Sequence, residues 1–343
     1  MPDSAQSLRV LVTVPFSDDL LDTFRQVSDR IDLIVQPAAQ TRDVPDEAWA
    51  AAQVLYTESV VPEPEQAPQL RWIQAHTAGI DHLWDQPIIQ TADVLLTTVS
   101  GIHAPVIAEY VFMMMLAFGH RLPVMLEHKA RSAWPAGDRS AFLPGPLRGS
   151  TVGIVGYGSV GREIARVAHT FGMDVLAVKR DVRQPSETDS YTLPGHGDPD
   201  GVFFHRLYPP EALVSMVRES DFVVLAVPLT EATRGMVNAG VLAAMKPSAF
   251  LINVSRGGVV DDEALADALE RGVFAGAASD VFESEPLPSD SPLWKLPNLI
   301  ISPHVAGATA DYNERTALVF VENLKRYLAR KDLLNLVDRT RGY

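Results

Sequence analysis

Short apolar runs alternate with amphipathic segments along nearly the whole chain. In the first hundred residues the runs are RVLVTV (9–14), IDLIVQ (31–36), AQVLYT (52–57), LRWIQA (70–75) and VLLTTV (94–99), with helix-like patterns such as DDLLDTFRQV between some of them. A second series follows: TVGIVG (151–156), DVLAVK (174–179), FVVLAV (222–227), AFLINV (249–254), FAGAAS (274–279) and NLIIS (298–302). SVGREIARVAHTFG and DDEALADALERG fill gaps of the second series, the latter opening on Asp261 and Asp262, which suit a helix N-cap and the positive end of the helix dipole. Strands alternating with helices predict parallel sheets covered on both faces. The pattern therefore predicts an α/β fold with two Rossmann-like or flavodoxin-like domains.

Three stretches depart from the alternation. SGIHAPVIAEYVFMMMLAFGHRL predicts a long apolar helix, and WPAGDRSAFLPGPLRG (134–149) a connecting loop. Residues 181–210 are polar, punctuated by Pro and Gly, and long for a strand-to-helix connection; they read as a surface insertion. A last amphipathic helix is predicted over about 309–330. The greasiest run, Tyr110 to Gly119, is too short to cross a bilayer and fits a buried helix or half of a subunit contact.

Composition narrows the function. At 343 residues, 47% hydrophobic and 21% charged, the chain suits an ordinary soluble protein of two domains. A formal charge of −14 argues against nucleic acid as a partner, though not against a local basic pocket. The absence of cysteine removes disulfides, thiolate nucleophiles and cysteine-bound metals. MPDSAQSLRV has no basic start leading into an apolar core, so no secretory signal is expected and the expected location is cytoplasmic.

GIVGYGSVG, between a predicted strand and helix, contains the spacing G-x-G-x-x-G at Gly156, Gly158 and Gly161. The first glycine permits a tight turn, the second lets backbone approach a pyrophosphate, and the third permits close helix-on-strand packing. Phosphates would meet N–H groups at Ser159 and Val160, with Tyr157 in the same turn. An acid usually ends the next strand and accepts hydrogen bonds from the adenosine ribose. Here Lys179 and Arg180 stand there, with Arg183 nearby. Neither can accept those bonds and both attract a 2′-phosphate, so NADP(H) is the expected cofactor, with NAD(H) as the alternative. A register one residue away would instead bring Asp181 to the ribose.

Polar residues follow three later strands: Arg256 in INVSRGG; Asp280, Glu283 and Glu285 in ASDVFESEPLP; and His304 in ISPHVAG. Ligands of open parallel sheets bind beyond the carboxyl ends of the strands, where the glycine turn also lies. Taken singly, an Arg after a strand is usually a surface charge, and a His there a satisfied structural residue.

In series, HTAGIDHL, GIVGYGSVG, VPLTEATRGMVN, INVSRGG, DVFESEPLP and SPHVAG resemble the D-isomer-specific 2-hydroxyacid dehydrogenase family over nearly the whole chain, and within it the hydroxypyruvate/glyoxylate reductase-like branch. The resemblance implies hydride transfer between a nicotinamide and a small 2-keto or 2-hydroxy acid. It implies that His304 is the general acid, that Glu285 orients its ring and favours its protonated form, and that Arg256 binds the substrate carboxylate. Asp280 would contact the nicotinamide end of the cofactor, flanked by Val227, Pro228, Thr233 and Val254. Glu283 would be solvated. Ala78 and Gly79 would hold the substrate carboxylate through backbone N–H groups, and Trp134 would reach a partner subunit's active site or simply pack a dimer contact. His76, His82 and His103 lack the spacing of helical metal ligands and read as structural; no metal is expected.

The implied domains are 1–103 with 305–343 for substrate and 104–304 for the dinucleotide, with the active site in the interdomain cleft. A homodimer is expected through the 106–118 helix; no membrane partner is expected. The rival readings are a phosphite dehydrogenase-like enzyme on the same scaffold and a nucleotide-sensing corepressor.

Overall fold

The structure is a computed structural model that describes residues 7–340 and Gly342. Its chain divides into two compact units: residues up to Ile102 with Asp189–Tyr191 and the chain from Thr309 onward, and His103–Thr188 with Thr192–Ala308.

The first unit contains β1 (Leu8–Val12), α1 (Asp18–Arg25), β2 (Ile31–Val35), α2 (Asp46–Ala51), β3 (Val54–Thr57), β4 (Trp72–Ala75) and β5 (Leu95–Thr97). All five strands are parallel, in the order β2-β1-β3-β4-β5. Every residue of β3 and β4 is buried, so apolar residues fall on both faces instead of alternating with polar ones, Thr57 and Gln74 apart. The C-terminal helix, Tyr312–Leu328, belongs here because its apolar stripe needs this sheet. Phe320 and Leu324 pack with Val10, Val12, Tyr56 and Trp72, and Phe320 meets Phe24 edge-on with ring centroids 5.0 Å apart.

The second unit begins with α3 (Ala104–Gly119) and α4 (Leu122–Ala130). Then come β6 (Thr151–Val155), α5 (Ser159–Phe171), β7 (Asp174–Val178), β8 (Arg206–Tyr208), α6 (Leu213–Glu219), β9 (Phe222–Leu225), α7 (Ala239–Leu242), β10 (Phe250–Asn253), α8 (Asp262–Glu270), β11 (Gly276–Ser279) and β12 (Leu299–Ile301). The C-terminal helix is α9. Seven parallel strands run in the order β12-β11-β10-β9-β6-β7-β8. Period-two alternation divides the core: Val175, Ala177, Phe222 and Val224 face α3 and α5, while Leu176, Val178, Val223 and Leu225 face α6, α7 and α8. Leu242 and Met245 are buried in the second of these layers.

The predicted long apolar helix forms as α3; Arg121, whose φ of 57° lies in the left-handed region, separates it from α4, a helix the sequence pattern did not announce. One local expectation is corrected. The stretch 181–210 is not wholly an insertion: its end forms β8, an edge strand paired with β7. Three residues, RLY, carry too little periodicity to announce a strand. The rest of the stretch is docked on α5. Arg162 donates to the carbonyls of Asp198 and Pro185, Gly197 N donates to Glu163, and Tyr157 Oη donates to Asp198 Oδ2 at 2.6 Å. Asp189–Tyr191 belong instead to the first unit, where Tyr191 N donates to Asn335 Oδ1 at 2.8 Å. No described helix is long and apolar enough to cross a membrane.

Candidate active site

The glycine turn is shaped by packing at two positions and left open at the third. Gly156 has φ 103°, and a Cβ there would lie 2.5 Å from Ala226 O and 2.8 Å from Val227 Cγ1. A Cβ on Gly161 would lie 2.0 Å from Gly156 O, so α5 touches the turn itself. A Cβ on Gly158 would meet no described atom within 4 Å. Gly158 is the N-cap of α5, no side chain caps that terminus, and Ser159, Val160 and Gly161 open the helix. Packing therefore demands the first and third glycines, while the second faces open space at the positive end of a thirteen-residue helix. These residues fit a dinucleotide pyrophosphate.

Val227, Pro228 and Thr233 follow β9. Thr233 Oγ1 donates to Pro228 O at 2.7 Å and accepts from Thr230 N at 2.8 Å, closing their loop on itself. Val254 follows β10, is buried, and donates its N–H to Leu225 O at 3.2 Å.

Arg256, Glu285 and His304 follow β10, β11 and β12, three neighbouring strands, so parallel topology brings distant residues to one sheet edge. His304 Nδ1 lies 2.7 Å from Glu285 Oε2. The other carboxylate oxygen accepts from Phe282 N at 3.0 Å, so both ends of the group are held. Gly257 lets the arginine loop press on this turn: a Cβ there would stand 1.8 Å from Phe282 O. Arg256 Nη1 donates to Ser255 O at 2.9 Å. Glu283 is exposed.

Asp280 has a structural role that the sequence did not announce. It is buried; Oδ1 accepts from Ser302 Oγ at 2.5 Å and Val305 N at 2.9 Å, and Oδ2 from Ala306 N at 2.8 Å. Its backbone carbonyl accepts from His304 N at 2.9 Å. Tyr110 Oη donates to Ser302 Oγ at 2.6 Å, since the serine proton goes to Asp280. Burial pushes the Tyr110 phenol up to about 12, which keeps it a donor. These contacts hold His304 at φ 55°, a region costly for a residue other than glycine. A carboxylate offers about four lone-pair sites, and the buried Asp280 group has filled three.

Lys179 follows β7 and is mostly buried, while Arg180 is exposed. Lys179 Nζ lies 3.9 Å from Glu187 Oε2. Burial and then Arg162 lower the affinity of Lys179 for its proton, and Glu187 opposes them. Asp181 caps its own turn, accepting from Arg183 N at 2.9 Å.

In the first unit the loop Thr77–Ala78–Gly79 follows β4, and Thr77 Oγ1 donates to Gly79 O at 2.6 Å. Its start is braced by Tyr312, whose Oη donates to His76 O at 2.7 Å. The three early histidines have partners in the protein: His76 Nδ1 with Tyr56 Oη at 2.7 Å, His82 Nε2 with Glu58 O at 2.8 Å, and His103 Nδ1 with Gly307 O at 3.0 Å. Trp134, in the loop after α4, is 84% exposed.

Residues 112–306 match the model of the D-isomer specific 2-hydroxyacid dehydrogenase NAD binding domain. The chain belongs to the D-isomer-specific 2-hydroxyacid dehydrogenase family. Glyoxylate reductase of Korarchaeum cryptofilum is 35% identical over 276 residues, 80% of this chain and 78% of the relative. (S)-Sulfolactate dehydrogenase of Chromohalobacter salexigens is 33% identical over 261 residues, 76% and 78% respectively. A crystal structure of a D-isomer specific 2-hydroxyacid dehydrogenase from Xanthobacter autotrophicus Py2, in complex with NADPH and MES, superposes with TM-score 0.78 at 28% identity, covering 98% of this chain and all of that one. As a member of this 2-hydroxyacid dehydrogenase family, the chain is an NAD(P)-dependent oxidoreductase acting on the CH–OH group of 2-hydroxyacids, or on the corresponding 2-ketoacids in reverse.

Proposed function

We propose that this enzyme works mainly as an NADPH-dependent reductase of small 2-ketoacids such as glyoxylate or hydroxypyruvate, in the cytoplasm. The single observation that supports the chemistry is the 2.7 Å pair between His304 Nδ1 and Glu285 Oε2 at the strand ends beside Arg256. When bound, the nicotinamide supplies the hydride. With Nδ1–H committed to the carboxylate, His304 has Nε2 left to protonate the carbonyl oxygen, and to remove that proton in reverse. Arg256 binds the substrate carboxylate with a planar fork of donors. Asp280, Val227, Pro228, Thr233 and Val254 line the nicotinamide side, and Tyr157, Ser159 and Val160 the pyrophosphate. Lys179 and Arg180 stand where an acid would be needed for the ribose hydroxyls and where cations suit a 2′-phosphate. In this assignment the first unit serves the substrate and the second the dinucleotide.

The enzyme is a homodimer through α3 and α4. None of the nine residues of α4, LPVMLEHKA, is buried, and Met113, Leu122, Met125 and Leu126 expose apolar surface around a groove of about 820 Å³ between α3, α4 and α5. A second copy covers this face, and the exposed Trp134 follows it toward the partner's site.

Steady-state kinetics with NADPH and NADH on glyoxylate, hydroxypyruvate, pyruvate and 3-sulfopyruvate test the reading. Turnover of a small ketoacid with NADPH favoured is expected; inactivity on all four overturns it. Sedimentation of Leu126→Glu tests the dimer, which this charge should split.

A further inference from the structure

The stretch 181–204 delivers a carboxylate to the ribose edge. Glu187 Oε2 lies 3.9 Å from Lys179 Nζ and 3.9 Å from Arg162 Nη2. The lysine side chain is 15% exposed, the arginine 3% and the glutamate 30%, so the group is sheltered but open to water on the glutamate side. Each partner is held in place. Arg162 is fastened by the carbonyls of Pro185 and Asp198, Lys179 N donates to Tyr208 O at 3.0 Å, and Glu187 N donates to Pro199 O at 2.8 Å. At 3.9 Å these two contacts are coulombic rather than hydrogen-bonded, so an incoming anion competes for the same two positive charges.

We propose that Glu187 is a specificity-determining residue that competes with the cofactor's 2′-phosphate for Lys179 and Arg162. The inference depends on the proposed placement of that phosphate beside Lys179. A lysine and an arginine together attract a dianion strongly. A carboxylate between them offsets one positive charge and repels the incoming phosphate. NADH brings no phosphate to this place and is largely indifferent to Glu187. The residue therefore moderates an NADP(H) preference that the two cations alone would make steeper. A stretch that appears as filler in the sequence thus sets the cofactor ratio, because it folds back over the end of β7.

The test is equilibrium titration of NADPH, NADH and 2′,5′-ADP against the wild type, Glu187→Gln, Glu187→Asp and Lys179→Ala. Glu187→Gln should tighten NADPH and 2′,5′-ADP by about fivefold, the range of a partly exposed charge pair, and change NADH by less than about twofold. Glu187→Asp keeps the charge and should stay close to the wild-type ratio. If Glu187→Gln leaves the NADPH-to-NADH ratio unchanged, or weakens NADPH, the proposal is wrong. Lys179→Ala separates the two readings. If it leaves NADPH binding intact, the phosphate is not at Lys179 and the cofactor assignment fails. If it weakens NADPH while Glu187→Gln tightens nothing, the role of Glu187 alone falls.

Discussion

Two histidines of this enzyme stand just past the carboxyl end of a parallel strand, His76 after β4 and His304 after β12. Each ring uses Nδ1 for a hydrogen bond at 2.7 Å. The partner of His76 is the phenol of Tyr56, and its ring is packed edge-on against Phe16, Tyr56 and Tyr312. Burial pushes it down to about 4, so it is neutral and inert at ordinary pH. The partner of His304 is a carboxylate, and its ring is about half exposed. A carboxylate supports a passing positive charge on imidazole; a buried phenol does not. Position in the fold is shared; partner and burial are what differ between the two rings.

Removing each group in turn breaks the comparison most directly. His304→Ala should lower kcat by about a thousandfold while NADPH titration stays unchanged, because the proton donor is lost and the glycine turn is untouched. Retained turnover would assign the acid elsewhere. His76 should act on stability instead. Its folded-state proton affinity lies below the unfolded value of 6.5, so its contribution is intact above pH 6.5 and is lost as pH falls toward 4. The loss should reach about 3 kcal/mol, seen as a falling unfolding midpoint from pH 7 to pH 4. His76→Gln should flatten that slope. Glu285→Gln should reduce kcat by about a hundredfold, since the amide can still hold the ring but places no negative charge beside it; a change confined to KM would contradict this role. Tyr56→Phe is the mildest test. It strands a buried ring nitrogen and should cost about 1–2 kcal/mol in denaturant unfolding, leaving the pH profile of kcat unaltered.

Much of this was legible because the signals are local or topological. Eleven apolar runs became strands within a few residues, the central ones because strands covered on both faces are mostly apolar. Gly156 and Gly161 showed themselves because no other residue fits, as the 2.0 Å approach to Gly156 O explains. Glu285 and His304 were legible as strand-end residues in a recognisable order, and the parallel topology brought them together. Other features left no mark. β8 is three residues long, the break at Arg121 depends on a single left-handed residue, and the locking of His304 by Asp280 through Ser302 and two backbone amides is invisible in ASD and ISPH. Nor did the sequence announce that Glu187, eight residues on, would fold back beside a largely buried Lys179.

The amino-acid sequence by itself determined the alternation of strands and helices, the dinucleotide turn and the residue types available for the chemistry. These follow from side-chain period and backbone freedom, which act over a few residues. Only the tertiary structure decided which imidazole meets a carboxylate, which acid is consumed in holding a loop, and which charge folds back over the end of β7. Those outcomes depend on contacts between residues far apart in the chain, and on burial that no single residue can report.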